Sequence, residues 1–369
     1  MFFSKRITIP SGSLSSLAWK KFKKNRLGFG SLIFIGLAML IACLGYLITP
    51  DQTPYANGQY LELGLKKPGF SVLLLPVRTN LAASENTWLH TMVSGKRENW
   101  VNIPIRTFSI RGNHLFYIEY GTIANDASMV KILPLNSVGS PVEKSFLLGT
   151  DRFGRDYLSQ LMIGTRVSLS VGLISVLISL IIGIFIGAIG GYYRGWVDSL
   201  IMWLINVVWS IPTLLLVIAI TFALGKGFWQ VFIAVGLTMW VEVARVVRGQ
   251  ILGVREKEYV EAARALGFSD FRIIFRHILP NVMAAVIVIS AANFASAILM
   301  EAGLSFLGLG VQPPVPSWGS MIKENYGYIV LDYAYLAILP GIAIMLMVLS
   351  FMMMGNALRD ALDVRMSES

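Results

Sequence analysis

Between residues 258 and 281 the chain gathers Glu258, Glu261, Arg264, Asp270, Arg272, Arg276 and His277 within an otherwise apolar sequence. Their spacing suits docking rather than catalysis. A run of helix formers, Glu261-Ala262-Ala263-Arg264-Ala265-Leu266, stops at Gly267, a residue that closes helices because it takes positive φ freely. Ser269 follows as an N-cap candidate, and Phe271, Ile274, Phe275 and Ile278 recur at helical spacing up to Pro280. Two short helices about a glycine turn make a surface device. By patterning alone it either docks into another protein or packs beneath its own membrane domain.

Other chemistry is scarce. The three histidines, His90, His114 and His277, lie far apart, and none has cysteine or carboxylate neighbours at metal-ligand spacing. No Gly-x-x-x-x-Gly-Lys-Ser/Thr occurs, so energy from ATP must be borrowed. Ser305 sits in Gly303-Leu304-Ser305-Phe306-Leu307, not in Gly-x-Ser-x-Gly, with no base nearby in sequence. Within the apolar segments the acidic residues are Glu242 and, at an outer edge, Glu301, a poor supply for a proton or ion relay. The single cysteine, Cys43, excludes a disulfide within the chain.

The elements that position these residues are membrane helices. Hydrophobic residues make up 55% and charged residues 14% of the 369, against roughly 25% charged in a soluble domain. Six segments are long enough to cross a bilayer: 27–49, 168–190, 204–224, 228–246, 281–300 and 334–355. The net charge of +10 is scattered around these spans with no base-stacking platform, which sets orientation and argues against nucleic-acid binding. A basic leader over 1–26 carries Lys5, Arg6, Lys20, Lys21, Lys23, Lys24 and Arg26, and the positive-inside rule places it in the cytoplasm. Six crossings return the tail at 361–369, with Arg365 and nearby Arg359, to the same side as the loop over 247–280. Residues 50–147 form an insert on the opposite side. Val101, Ile103 and Ile105 alternate there, and Phe108–Ile110 and Leu115–Tyr120 flank a hairpin signal at Arg111-Gly112-Asn113. The insert is expected to be β-containing, with a partly disordered loop as the alternative because Gly, Asn and Pro punctuate 50–100.

Three ordered stretches carry a resemblance. The first runs from Leu148-Gly149-Thr150-Asp151-Arg152-Phe153-Gly154-Arg155-Asp156 to Gly164-Thr165-Arg166-Val167-Ser168-Leu169. The second is Trp240, Ala244-Arg245, Arg248-Gly249 and Glu258-Tyr259-Val260, leading into Glu261–Pro280. The third is Glu301-Ala302-Gly303-Leu304-Ser305-Phe306-Leu307-Gly308-Leu309-Gly310, then Pro313-Pro314 and Pro316-Ser317-Trp318-Gly319. Together they resemble the C-type permease subunit of dipeptide/oligopeptide/nickel ABC importers over about 150–360, with the basic leader and first span included. The resemblance implies an all-α polytopic fold of six transmembrane helices in the bacterial inner membrane, interrupted here by the β-containing insert over 50–147. It implies no catalytic residue, no metal and no cofactor in this chain, ATP and Mg being bound by partner ATPases. It implies a B-type permease partner, two ATPase subunits, an extracytoplasmic solute-binding protein and membrane lipid as neighbours. Onto the matching positions it carries ATPase coupling through Glu258, Tyr259, Glu261, Ala262, Ala263, Gly267, Arg272, Arg276, His277 and Pro280. From the residues themselves, the proline-stopped stretch with Ser305, Phe306, Leu307, Gly308 and Trp318 must be buried in protein or line a cavity and is expected at the outer gate of the pore, a lipid-facing anchor being the alternative, and Asp151, Arg155 and Asp156 read as a charged, glycine-bent outer collar. Trp318 is expected at the level of the membrane interface.

The chain departs from the family pattern twice. Its insert is far longer than the usual connector, and Met202-Trp203 and Asn206 stand where many relatives have an arginine and an aspartate. The insert either receives the solute-binding protein or caps the permease pair. Two other classes remain beside the importer reading: a secondary transporter, and a membrane scaffold that displays the insert.

Overall fold

Backbone groups in hydrocarbon must be satisfied within their own segment, and the apolar segments accordingly form helices. The computed structural model describes residues 14–79, 87–96, 99–122, 130–225 and 227–362. Lys5, Arg6 and Arg365 lie outside the described residues. An amphipathic α1 (Leu14–Lys24) occupies the leader and precedes α2 (Arg26–Leu44), whose N-terminus is capped by the Asn25 side chain accepting from the Gly28 N–H at 3.0 Å. After the insert come α4 (Tyr157–Tyr193), α5 (Gly195–Trp209), α6 (Thr213–Leu224) and α7 (Phe228–Val254). The polar loop holds α8 (Glu258–Ala265) and a single turn α9 (Asp270–Arg272), and α10 (Leu279–Phe306), α11 (Trp318–Asn325) and α12 (Tyr335–Leu362) complete the chain. Among the described residues five continuous helical stretches are long and apolar enough to cross a membrane, and the α5–α6 pair makes a sixth if it counts as one span.

That pair corrects one expectation. The span at 204–224 is not a straight helix: α5 and α6 meet at 88° across Ser210-Ile211-Pro212. Pro212 has no N–H to continue the α5 ladder, and its fixed φ suits the residue that opens a new helix. The first span is about as long as hydropathy marks it, whereas the later ones run longer, because polar ends such as Tyr157–Val167 of α4 stay helical beyond the apolar core.

Glycines bring α4 and α7 together. A Cβ at Gly183 would stand 2.5 Å from the Val243 Cβ, one at Gly187 2.5 Å from the Ala244 carbonyl oxygen, and one at Gly191 2.9 Å from the Arg248 carbonyl oxygen. Gly236 on α7 answers them, since a Cβ there would meet Ile178 at 2.7 Å. This seam of small residues lets two backbones approach in a medium that offers no hydrophobic drive between helices. The first and last described helices meet at one end of the bundle: Phe22 of α1 is buried against Ala357 and Ala361 of α12. A cavity of about 650 Å³ at that end is lined by Val246, Gln250, Asn281, Arg359 and Leu362, so the polar loop shares it.

At the opposite end the insert is a five-stranded antiparallel sheet in the order β4-β3-β2-β1-β5. The strands are β1 (Phe70–Arg78), β2 (Trp100–Arg111), β3 (His114–Glu119), β4 (Lys131–Pro134) and β5 (Val142–Phe146), with a short α3 (Trp88–Ser94) between β1 and β2. The hairpin turns at Gly112-Asn113 as expected, with Arg111 opposite His114 and Gly112 at φ +60°. β1 divides by period two. Leu75 packs with Ile105, Leu115 and Tyr117 on one face, whereas Val72 and Leu74 pack with Leu63 and Phe146 on the other.

Residues 51–66 belong to the helix bundle as much as to the sheet. The Asp51 N–H donates to Ser159 Oγ at 2.9 Å, Leu65 N–H to the Asp151 carbonyl at 2.9 Å, and Lys66 N–H to Thr150 Oγ1 at 2.8 Å. Gln160 and Arg166 reach from α4 to the carbonyls of Tyr55 and Met92. The insert is therefore moored along its first third.

The glycine seam is open to test. Replacing Gly183 by Leu should destabilise the protein in detergent by about 1–3 kcal/mol or abolish its folding, the usual cost of overpacking. Gly249→Leu, at a position with nothing near the added carbon, should leave thermal unfolding unchanged. Equal melting of the two variants would show that the seam does not hold α4 to α7.

Candidate functional site

The polar loop is built as expected at its first turn. α8 closes with the Gly267 N–H on the Arg264 carbonyl at 2.9 Å and the Phe268 N–H on the Ala263 carbonyl at 3.1 Å, with Gly267 at φ +76°. This is the Schellman arrangement, and it requires a residue that tolerates positive φ. Ser269 occupies the N-cap position of α9, but its side chain makes no capping hydrogen bond. The Tyr192 hydroxyl instead donates to Asp270 Oδ1 at 2.6 Å, tying the loop to α4.

The second run does not end at Pro280. Ile273–Ile278 form a π-helical turn, Pro280 sits in the first turn of α10, and Asp270–Phe306 run on as one span of 37 residues. Proline is tolerated in a first turn, and the wider preceding turn accommodates the ring and the missing donor. The Asn281 side-chain amide donates to the His277 carbonyl at 2.7 Å.

The loop has two faces. Val260, Ala263, Ile273, Ile274 and Ile278 are buried against Ala188, Tyr192, Val247 and Ile251. Outward stand Glu258, Tyr259, Glu261, Ala262, Gly267, Arg272, Arg276 and Pro280, with Leu266, Phe271 and Phe275 also exposed. Ala263 thus departs from its expected place, since it packs inward and is 4% exposed. His277 is half-buried and stacks on Phe268 with centroids 5.8 Å apart. Phe271 and Phe275 lie 4.4 Å apart, 71% and 47% exposed, which is unusual for aromatic side chains on a charged loop.

The collar lies at the sheet end. Asp151 Oδ1 accepts from the Phe153 and Arg155 N–H groups, each at 2.9 Å, and Oδ2 meets Arg155 Nε at 2.5 Å. Arg155 Nη2 then reaches Glu324 Oε2 on α11 at 2.7 Å. Burial works against the Arg155 charge, but the two carboxylates more than offset it and hold the guanidinium above its ordinary value. Asp156 caps α4 by accepting from the Ser159 N–H at 2.9 Å, and burial pushes its carboxyl above the usual carboxylate range against that hydrogen bond.

The stretch after α10 folds back over the end of that helix. Ser305 Oγ donates to Glu301 Oε1 at 2.7 Å, Ser168 Oγ lies 3.4 Å from Oε2, and Ser317 Oγ lies 3.3 Å from Ser305 Oγ. Glu301, Ser305 and Ser317 are all buried. Trp318 is not at a lipid interface. It is 3% exposed, and its Nε1 donates to the Leu161 carbonyl at 3.1 Å. The space comes from Gly164, where a Cβ would stand 3.0 Å from the indole. Of the five gate candidates only Phe306 and Leu307 are exposed, Gly308 being intermediate at φ +81°.

Residues 167–368 match the family described as binding-protein-dependent transport system inner membrane component, and residues 13–68 match the N-terminal TM domain of oligopeptide transport permease C. The chain belongs to this family of permeases. A dipeptide transport system permease protein DppC of Alkalihalophilus pseudofirmus is 37% identical over 282 residues, which cover 75% of this chain and 92% of the relative. A glutathione transport system permease protein GsiD of Pectobacterium atrosepticum is 42% identical over 219 residues, 59% of this chain and 72% of the relative. The corresponding GsiD of Escherichia coli O157:H7 is 41% identical over 215 residues, 58% and 71% of the two chains. The two matched family ranges leave 69–166 between them, the stretch that holds the sheet and the collar.

The collar and the α5 entrance of this permease each touch a group far away in sequence. Glu324 stands 169 residues from Arg155, and no local pattern links them. The departure at Trp203 and Asn206 leaves both side chains exposed on α5. The entrance to that helix is tied by a different pair, Arg248 to Asp198 at 2.5 Å and 2.6 Å. Asp198 was readable as a charge at a helix start, but its partner on α7 was not.

Breaking the collar should be costly. Arg155→Met would leave two carboxylates without their cation, one of them deeply buried, at a cost of about 3 kcal/mol. Glu324→Gln keeps a hydrogen-bond acceptor for the guanidinium and should cost less than half of that. Thermal unfolding followed by tryptophan fluorescence ranks the two, and equal stability of both variants with the unmodified protein would remove the triad as an anchor.

Proposed function

We propose that this permease forms one half of a heterodimeric translocation pore in an ATP-driven importer. Its partners are a B-type permease, two ATPase subunits and an extracytoplasmic solute-binding protein. The outer face of the polar loop carries the reading. Tyr259, Leu266, Phe271 and Phe275 lie open there between Glu258, Glu261, Arg272 and Arg276, an apolar centre with a charged rim, as a protein interface requires. The basic α1, packed beside the C-terminal end of α12, supports a cytoplasmic placement of both termini and of the loop. The sheet then faces outward, where a solute-binding protein would land.

In operation, closure of the ATPases on ATP moves the loop, and the loop moves α10, with which its second half is continuous. The paired permeases rock from inward- to outward-facing. Nucleotide and magnesium stay with the ATPases, and this chain contributes no catalytic group. Peptides are the solute class proposed, because the relatives are named for dipeptide and glutathione transport. The secondary-transporter reading finds little support, since Glu301 is enclosed by serine hydroxyls rather than by a chain of titratable groups.

Two substitutions test the coupling. Glu261 lies in the first turn of α8, where its charge favours the helix and remains exposed for a basic partner. Glu261→Ala should weaken ATPase binding about tenfold to a hundredfold, the worth of a charged hydrogen bond, while membrane insertion is kept. Gly267→Val forces a β-branched residue to φ +76° and should lower coupled uptake more than Ala262→Val on the exposed face of α8. Uptake and ATPase stimulation at wild-type levels in Glu261→Ala and Gly267→Val would refute the docking role.

A further inference from the structure

Lys20, Lys21, Lys23, Lys24 and Arg26 place five cations within seven residues, and no acidic residue precedes Asp51. Four of the five, Lys20, Lys23, Lys24 and Arg26, are exposed. Among the described residues no carboxylate forms an ion pair with any of those four. The adjoining end of α12 adds Arg359 and Asp360, both exposed and opposite in sign. α1 and the start of α2 therefore carry a concentrated positive charge that the chain leaves unanswered.

That charge is held at a fixed height. Only Asn25 separates α1 from α2, so Lys24 and Arg26 lie at most about 7 Å apart along the chain. Asn25 is extended, at ψ 98°, and turns the backbone, while its N–H donates to the Phe22 carbonyl at 3.0 Å and its side chain caps α2. α2 then exposes Leu27, Ile33, Leu37 and Leu40, an apolar surface for hydrocarbon or another membrane helix to cover. Phe22, 2% exposed against Ala357 and Ala361, clasps α1 to α12, and Gly28 leaves no room for a Cβ beside Ala357. Trp19 stays outside the clasp. It stacks on Phe22 with centroids 5.7 Å apart, is 47% exposed, and has Lys23 Nζ 5.2 Å from its ring centroid. A half-exposed indole among lysines suits a bilayer interface, with the ring at the top of the acyl chains and the ammonium groups among phosphates.

We propose that α1 is a recognition element for anionic phospholipid, with Lys20, Lys23, Lys24 and Arg26 holding headgroup phosphates and Trp19 seated beneath them in the leaflet. Lipid is the occupant rather than an acidic protein because the one-residue link to α2 fixes the cations at the bilayer boundary and because an indole accompanies them. Lipid bound there bears on the clasp, since Trp19 is stacked on the same Phe22 that joins α1 to α12. Which leaflet supplies the lipid rests on the orientation proposed above. The preference for an anionic headgroup does not.

The test uses the full permease, expressed with its partner subunits and placed in phosphatidylcholine nanodiscs. Phosphatidylglycerol or further phosphatidylcholine, brominated in the acyl chains, is titrated in as a fluorescence quencher. The chain has nine tryptophans, so the signal read is the difference between the unmodified protein and Trp19→Phe. Brominated phosphatidylglycerol should quench Trp19 at a lower mole fraction than brominated phosphatidylcholine, and added salt should shrink that preference. Lys20→Gln and Lys24→Gln should each raise the phosphatidylglycerol fraction needed for half of the quenching by about fivefold, the share of one surface cation, whereas Lys20→Arg should keep it. Inorganic phosphate should compete no better than chloride at equal ionic strength. Equal quenching by the two lipids, or a preference indifferent to Lys20 and Lys24, overturns the recognition of anionic headgroups. Absence of Trp19 quenching by either lipid takes α1 off the bilayer, leaves its cations to an acidic protein and overturns the proposal outright. Specific competition by inorganic phosphate assigns the cations to soluble anions and likewise overturns it.

Discussion

Everything in this permease follows from the need to satisfy backbone hydrogen bonds without water. In hydrocarbon that need permits helices and forbids exposed irregular chain. The structure obeys it even where it departs from straight spans. The segment from Leu307 to Ser317 is irregular, yet it is folded over the end of α10 and pinned through Ser305, Ser317 and Trp318. The break between α5 and α6 opens onto a cavity between α7 and α10. The strands, which require partners on both edges or water, are confined to the sheet at one end of the bundle.

Close packing then does for the helices what hydrophobicity does for a soluble core. Lipid is as apolar as leucine, so the α4–α7 contact depends on backbone approach at Gly183, Gly187 and Gly191. That seam sets a fixed wall. Against it pack the inner face of the polar loop, through Val260, Ile273 and Ile278, and the lower part of α10. The loop thus has one face on this wall and exposed aromatic side chains on the other. One continuous helix from Asp270 to Phe306 joins the loop to the buried Glu301 cluster at the far end.

Much of this was legible in the sequence because it depends on local chemistry. Apolar length marked the five continuous spans but not the break at Pro212, Gly267 marked the loop turn, and Arg111-Gly112-Asn113 marked the hairpin. What stayed hidden depends on contacts distant in sequence or on geometry that pattern does not encode. Arg155 and Glu324 are joined only by the fold, as are Asp198 and Arg248. Pro280 looked like a stop because a proline after an amphipathic run usually is one, and the π turn that carries the helix past it has no simple signature. Trp318 looked like an interface anchor by residue type, yet Gly164 opens a slot for it inside the bundle.

The insert gains its meaning from how it is attached. A tethered domain joined by flexible linkers would move independently of the spans, whereas this one shares backbone hydrogen bonds with the collar from Tyr60 to Lys66. Gly154 admits the Tyr60 carbonyl so closely that no side chain fits between them. The sheet is thereby joined by hydrogen bonds to the α4 entrance, which Arg155 and Glu324 tie in turn to α11. The sheet is thus fixed to the same helix, α4, that carries the glycine seam and, at its other end, the Tyr192 contact with the polar loop. A cap over a permease pair and a receiving surface for a partner both require a sheet that is held fast, and the mooring from Tyr60 to Lys66 supplies that condition for either role.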